Sequence, residues 1–156
     1  MNDHQEIEHT REPAKTPKTP HVLLVEDDDV MRDMLAEAFQ RRGWRVTECD
    51  DPIMWLQSCV HKAAAMDADA LEYLTTDGSY DVVVSDIRMP NMSGLDVLRI
   101  LGDIHCTDAC PPTIFITAFG DEDTHRRARE LGAITVLDKP FAVKDLVEKV
   151  HETVNA

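Results

Sequence analysis

Val22-Leu23-Leu24-Val25 runs straight into Glu26-Asp27-Asp28-Asp29, and Val82-Val83-Val84-Ser85 runs into Asp86. A short unbroken apolar run bounded by turn formers reads as a strand buried on both faces, as in a parallel sheet covered by helices above and below. The acids therefore stand where such a sheet opens to solvent. Carboxylates gathered there repel one another and stay ionised together only beside a cation, and hard oxygen donors of this kind suit Mg²⁺, with Mn²⁺ as the alternative ion.

Outward from these runs, strand-like and helix-like segments alternate. Strands are expected at 22–25, about 45–49, 81–85, 113–117 and 134–137. Helices are expected at about 29–42, from 51–52 onward, at 93–101, at 122–131 and at 143–154. In the first helix Val30, Met34, Leu35, Ala38 and Phe39 share one face, and Gly43 marks the stop. Leu95, Leu98 and Leu101 in the third helix, and Leu146, Val147, Val150 and Val154 in the fifth, keep the same inward spacing. Alternation of this kind is the pattern of an α/β fold, a doubly wound five-stranded parallel sheet. Residues 50–80 exceed what one crossover needs. Ile53, Leu56, Val60 and Ala64 keep helical spacing, but Asp67-Ala68-Asp69 disturbs it before Leu71 and Leu74 resume it. A helix, a break and a second short helix are expected there, lengthening the crossover around 61–79. Trp55 falls off the stripe and is expected to be partly buried against this extra segment, with a partner contact as the alternative.

At 156 residues the chain is most simply one domain. Residues 1–20 hold charges, prolines and one β-branched aliphatic residue, Ile7, and read as a disordered tail before a domain at 21–156. The net charge of −14 speaks against direct nucleic-acid binding, which draws on clustered Lys and Arg. No eighteen-residue apolar run is present to span a membrane, and the polar first 20 residues are unlike a secretion signal, so a cytoplasmic location is expected. Cys49, Cys59, Cys106 and Cys110 show neither a CxxC nor a zinc spacing and read as free thiols.

In an open parallel sheet, ligands bind beyond the carboxyl ends of the strands, where strand order reverses. The strand ends here carry Glu26 and Asp27, Asp86, Thr117 and Lys139. By chemistry, Asp27 and Asp86 would bind Mg²⁺ directly, with Glu26 reaching it directly or through water. Asp86 is able to act as a nucleophile toward a phosphoryl group once charge on that group is offset, and Lys139 supplies the offset. Thr117 can hydrogen-bond a phosphoryl oxygen, and Ala118 is small enough to leave it room. Asp28 and Asp29 read instead as helix-start residues.

Val25-Glu26-Asp27-Asp28, Asp86-Ile87-Arg88-Met89-Pro90 with Gly94, Thr117-Ala118 and Lys139-Pro140-Phe141 resemble the motifs of response-regulator receiver domains, in order, across residues 21–154. The resemblance implies a flavodoxin-like fold of the chemotaxis-response-regulator kind, strand order 2-1-3-4-5, with helices on both faces. It implies phosphotransfer to Asp86 from a sensor histidine kinase or a His-phosphotransfer protein. It further implies Mg²⁺ held by Asp27, Asp86 and the backbone carbonyl of Arg88, with Glu26 assisting through water, and Thr117 and Lys139 sensing the phosphoryl group. Such a domain is a phosphoacceptor rather than an enzyme, assisting only its own phosphotransfer and autodephosphorylation. Its implied partners are a downstream protein target or a fused output domain, and a second copy through the fourth helix, fifth strand and fifth helix. Thr117-Ala118-Phe119-Gly120-Asp121 is similar to receivers attached to transcriptional activators. A complete single-domain regulator and a receiver cut from a longer protein both remain open.

Val136 stands three residues before Lys139, where family members often carry an aromatic, so signalling is expected to depend more on movement of the fourth helix. Arg88 and Phe119 fall at positions that, in similar domains, gate water access to the acyl phosphate; loop packing is the other reading of Phe119. A Mg²⁺-dependent aspartyl-phosphate phosphohydrolase of the haloacid-dehalogenase type would want a second Asp two residues after the nucleophile, where Arg88 stands, and a cap domain. A receiver-like module that has lost phosphorylation typically lacks the Asp, an acidic residue or the Lys, and all are present here.

Overall fold

The computed structural model describes residues 18–67 and 79–156. In chain order these form β1 (His21–Val25), α1 (Asp29–Gln40), β2 (Arg45–Cys49), α2 (Pro52–Asp67), β3 (Val82–Asp86), α3 (Gly94–Asp103), a 3₁₀ turn (Thr107–Ala109), β4 (Thr113–Thr117), α4 (Glu122–Glu130), β5 (Thr135–Asp138) and α5 (Val143–Val154). The strands make one parallel sheet in the order β2-β1-β3-β4-β5, the expected flavodoxin-like arrangement. Residues 1–17 of the expected tail, and the expected break and second short helix at 68–78, lie outside the described residues. Pro20 already pairs with the sheet edge, its carbonyl accepting from the Arg45 N–H at 2.9 Å.

Every residue of β1, β3 and β4 is buried, because successive side chains point to opposite faces and both faces are covered. Val22, Leu24, Val82, Val84, Ile114 and Ile116 face α1 and α5, meeting Leu35, Phe39, Leu146, Val147 and Val150. Leu23, Val25, Val83 and Phe115 face α2 and α3, meeting Trp55, Cys59, Leu95, Val97, Leu98 and Leu101. α4 differs from the other helices. Its sequence EDTHRRARE buries one side chain fully, Ala128.

Helix starts follow local chemistry. Asp28 caps α1 by accepting from the Met31 N–H at 2.8 Å, the role its sequence position suggested. Ser93 and Asp96 form a reciprocal capping box on α3. The Ser93 backbone N–H is the main cause holding the Asp96 carboxyl below its ordinary range. Asp121 caps α4, accepting from the Thr124 N–H at 2.8 Å. Gly43, with φ of 79°, lets the chain leave α1 in the left-handed region, as its expected stop required.

Two helix faces differ from expectation. Val30 and Met34 are 80% and 44% exposed, and the inward face of α1 runs through Leu35, Ala36 and Phe39 instead. The first turns of α1 overhang the carboxyl end of the sheet, where Met34 lines a shallow apolar groove with Pro140, Phe141 and Val143. In α2, Ile53 and Val60 are exposed, whereas Trp55 and Cys59 are buried. Trp55 is thus neither a partner contact nor partly buried: it has no exposure and its ring packs 6.2 Å from that of Phe115. Apolar residues nearly encircle this helix, and burying the indole removes more apolar area from water than burying Ile53 or Val60 would.

Candidate functional site

β1 and β3 are neighbours in register, Val25 lying opposite Ser85, so the residues that follow β1 stand beside Asp86 at the end of β3. One carboxylate oxygen each from Glu26, Asp27 and Asp86 can be chosen so that all lie within 4.8 Å of one another. Glu26 is fully buried, Asp86 nearly so, and Asp27 is exposed. Lys139 enters from the far side, after β5. Its ammonium donates to Asp86 Oδ2 at 2.8 Å and to Glu26 Oε2 at 3.4 Å. The peptide bond from Lys139 to Pro140 is cis, and the Lys139 N–H donates to the Thr117 carbonyl at 2.7 Å.

The remaining polar atoms are tied down locally. Asp86 Oδ1 accepts from the Arg88 N–H at 3.1 Å, and Glu26 Oε1 accepts from the Asp28 N–H at 3.2 Å. Thr117 is buried at the end of β4, and its Oγ1 accepts from the Phe119 N–H at 3.2 Å, leaving the hydroxyl proton to be donated. Gly94 lets the start of α3 close onto the end of β3. A Cβ there would lie 2.6 Å from Phe115 Cε1 and 2.8 Å from the Asp86 carbonyl oxygen.

Charge in this pocket is unbalanced. Burial first, and the neighbouring Asp86 charge second, push the Glu26 carboxyl up to about 7. Burial opposes the charge on Lys139, but its hydrogen bond to Asp86 and the charges of Asp86 and Glu26 outweigh that and hold the ammonium above its ordinary range. An all-oxygen cluster with surplus negative charge, pressed against a desolvated strand end, fits a hard divalent cation. The arrangement can present Asp86 as a nucleophile to a phosphoryl group, with an ammonium and a hydroxyl ready for its oxygens.

The structure thus brings together Glu26, Asp27, Asp86, Thr117 and Lys139, with Arg88 held by its backbone. Arg88 and Phe119 also meet each other. The guanidinium lies 4.6 Å from the Phe119 ring centroid, and this ring, 63% exposed, packs on the cation rather than into the loop core.

Further contacts escaped the sequence reading. Arg32 donates to the Glu26 carbonyl at 2.8 Å and pairs with Asp29 at 2.5 Å, bracing the loop after β1; the i, i+3 spacing of Asp29 and Arg32 was the available signal. His125 Nε2 on α4 meets both Asp138 oxygens, at 2.9 and 3.1 Å, directly before Lys139. Gly120 permits that contact, since a Cβ there would overlap Asp138 Oδ1. No local pattern announces a pair formed between a helix and the next strand. Val136 lies opposite Phe115 in the sheet and is half-buried against the α2–α3 side.

The response regulator receiver domain family model matches residues 55–151. The transcriptional activator protein PfeR of Pseudomonas aeruginosa is 32% identical over 128 residues, 82% of this chain and 35% of PfeR. The transcriptional regulatory protein CpxR of Escherichia coli is 32% identical over 130 residues, 83% of this chain and 47% of CpxR. This chain therefore spans about a third to a half of the length of these relatives. The FixJ-N crystal structure superposes with a TM-score of 0.68 at 27% identity, covering 88% of this chain and 95% of FixJ-N.

Proposed function

The chain belongs to the response-regulator receiver domain family, and from that membership we propose that Asp86 accepts a phosphoryl group from a phosphohistidine on a sensor histidine kinase or a His-phosphotransfer protein. The observation that carries the proposal is the Lys139 ammonium at 2.8 Å from Asp86 Oδ2, inside a cluster of oxygen donors at the strand ends. A carboxylate oxygen of Asp86 attacks phosphorus. The bond from phosphorus to the histidine nitrogen breaks, and the imidazole leaves with the electron pair. When bound, Mg²⁺, or Mn²⁺ in its place, held by Asp27, Asp86 and the Arg88 backbone carbonyl with Glu26 through water, would neutralise charge on the phosphoryl oxygens.

Lys139 then turns from the Asp86 carboxylate to a phosphoryl oxygen, and the Thr117 hydroxyl donates to another. The modification adds about −1.5 to −2 charge and draws the loop carrying Phe119 and Gly120 inward. That loop leads into α4, the helix with least buried apolar surface, which His125 fastens to Asp138. With Val136 in place of an aromatic, displacement of α4 carries the signal. Its recipient is a downstream protein or a fused output domain, or a second copy docked through α4, β5 and α5. Among the described residues no helix is long and apolar enough to cross a membrane, which suits a cytoplasmic partner of a kinase.

The test is incubation with Mg²⁺ and acetyl phosphate or phosphoramidate, followed by intact mass. A gain of one phosphoryl group that disappears in Asp86→Asn is expected. No gain, or an equal gain in the variant, would refute the assignment. Rapid release of inorganic phosphate from small phosphomonoesters would support the phosphohydrolase instead.

A further inference from the structure

The loop between β1 and α1 carries Glu26 and Asp27, and its backbone is tied down on both sides of Asp27. The Glu26 N–H donates to the Cys49 carbonyl at 3.0 Å, and the Asp28 N–H donates to Glu26 Oε1 at 3.2 Å. Arg32 holds the carbonyls of the same two residues. Its backbone N–H donates to the Asp28 carbonyl at 2.9 Å, and its Nη1 donates to the Glu26 carbonyl at 2.8 Å. The first bond is ordinary helix pairing, which any residue except proline would make there. The second belongs to the side chain alone, and it reaches back from α1 to the end of β1.

The guanidinium is itself fixed. Nη2 pairs with Asp29 Oδ1 at 2.5 Å, and Nε stands 3.8 Å from Glu48 Oε1 on β2, with the Arg32 side chain 16% exposed. A planar guanidinium presents its donors in several directions, so one side chain serves the carbonyl and both acids together.

The Glu26 carbonyl and the Asp27 N–H belong to one planar peptide unit, so holding the carbonyl sets the direction in which Asp27 leaves the strand end. The other two acids are held through their own side chains. Glu26 is buried and meets Lys139, and Asp86 meets Lys139 and the Arg88 N–H. Asp27 is exposed, and its place in the cluster comes from its backbone.

We propose that Arg32 is a positioning residue for the divalent cation: given that the Glu26, Asp27 and Asp86 cluster binds Mg²⁺ as proposed above, Arg32 aims Asp27 into it through the Glu26 carbonyl and so raises its affinity for the ion.

The sign of the effect separates positioning from charge. A guanidinium beside a cation site repels the ion, so deleting the charge alone would tighten binding. Releasing the peptide between Glu26 and Asp27 weakens it. Removing an outer partner of a metal ligand typically costs about 10- to 100-fold in metal affinity. Arg32 acts through the backbone, and relief of repulsion works the other way, so Arg32→Met should lose about tenfold, the lower end of that range.

The test is titration of the full chain with Mn²⁺, followed by calorimetry and by the electron paramagnetic resonance signal of free Mn²⁺, on protein whose fold is checked by far-UV circular dichroism. Wild type should bind an Mn²⁺ ion that Mg²⁺ displaces and that Asp27→Asn fails to hold. Arg32→Met should bind it about tenfold more weakly. Arg32→Lys keeps the charge, but one ammonium cannot make both the Glu26 and Asp29 contacts, so its affinity should fall between the two. A role confined to stability would lower Tm in these variants and leave the affinity of the folded protein unchanged. Equal or tighter binding in Arg32→Met, with wild-type binding still dependent on Asp27, would overturn this proposal alone. Should Arg32→Met fail to fold, wild-type affinity in Arg32→Lys would overturn it. No Asp27-dependent binding in wild type would overturn the assignment of the metal site along with it.

Discussion

Replacing Lys139 by Met keeps much of the side chain's length and apolar stem and removes its charge. The ammonium lies 2.8 Å from Asp86 Oδ2 and 3.4 Å from Glu26 Oε2, and these carboxylate side chains are 9% and 1% exposed. Taking one partner from a buried ion pair destabilises a protein by about 3–5 kcal/mol, because it strands a desolvated charge. In a domain of this size that lowers Tm by about 10 °C. The loss should depend on pH in a definite direction. Glu26 already stands at about 7, through burial and then Asp86, while the Lys139 charge works to lower it, so Lys139→Met raises it further. A carboxyl whose folded-state pKa is raised favours the fold most below its unfolded value of 4.5, and that contribution is lost as pH rises through the folded value. The deficit should therefore be smaller at pH 5, where protonation of Glu26 leaves only Asp86 without its partner, and larger at pH 8. Thermal unfolding followed by circular dichroism at both pH values measures this. At pH 8, Mg²⁺ should restore part of the deficit, and Lys139→Met with Asp86→Asn should be more stable than Lys139→Met alone. Equal losses at pH 5 and pH 8, unmoved by Mg²⁺ or by Asp86→Asn, would show that Lys139 contributes packing rather than charge.

Gly94→Ala would place a methyl 2.6 Å from Phe115 Cε1 and 2.8 Å from the Asp86 carbonyl, so a loss of about 1–3 kcal/mol is expected; an unchanged urea midpoint would contradict so close an approach of α3 to β3. Phe119→Ala removes the ring over which the Arg88 guanidinium lies at 4.6 Å. An exposed cation–π contact is worth about 0.5–1 kcal/mol, so loss of phosphate from acetyl-phosphate-labelled protein should quicken by about two- to fivefold, and an unaltered half-life would remove Phe119 from the gate.

The strands and the site were legible in the sequence for one physical reason. β1, β3 and β4 are covered on both faces, so each is a nearly unbroken apolar run, and the change to Glu26, Asp86 or Thr117 marks the sheet's edge. Helix faces were legible where the opposite side is polar, as in α5, whose inward Leu146, Val147 and Val150 are buried. They were misread in α2, where apolar residues lie nearly all round and the packing of Trp55 against Phe115 decides which side is inward. Contacts such as His125 with Asp138 and Arg88 with Phe119 join segments that only the folded sheet brings together. Local periodicity carries no trace of them.

The meagre burial of α4 also bears on descent. Its outer residues, among them Glu122, Asp123, Arg126 and Arg129, line an open polar hollow with Gly120 and Asp138 and scarcely enter the core. Exchanges at such positions cost little stability. Glu26, Asp86 and Thr117, by contrast, belong to the fully packed strand ends, where nearly every substitution is felt. Duplicated copies of such a gene can therefore diverge across the outer face of α4 while the strand-end cluster beneath stays the same.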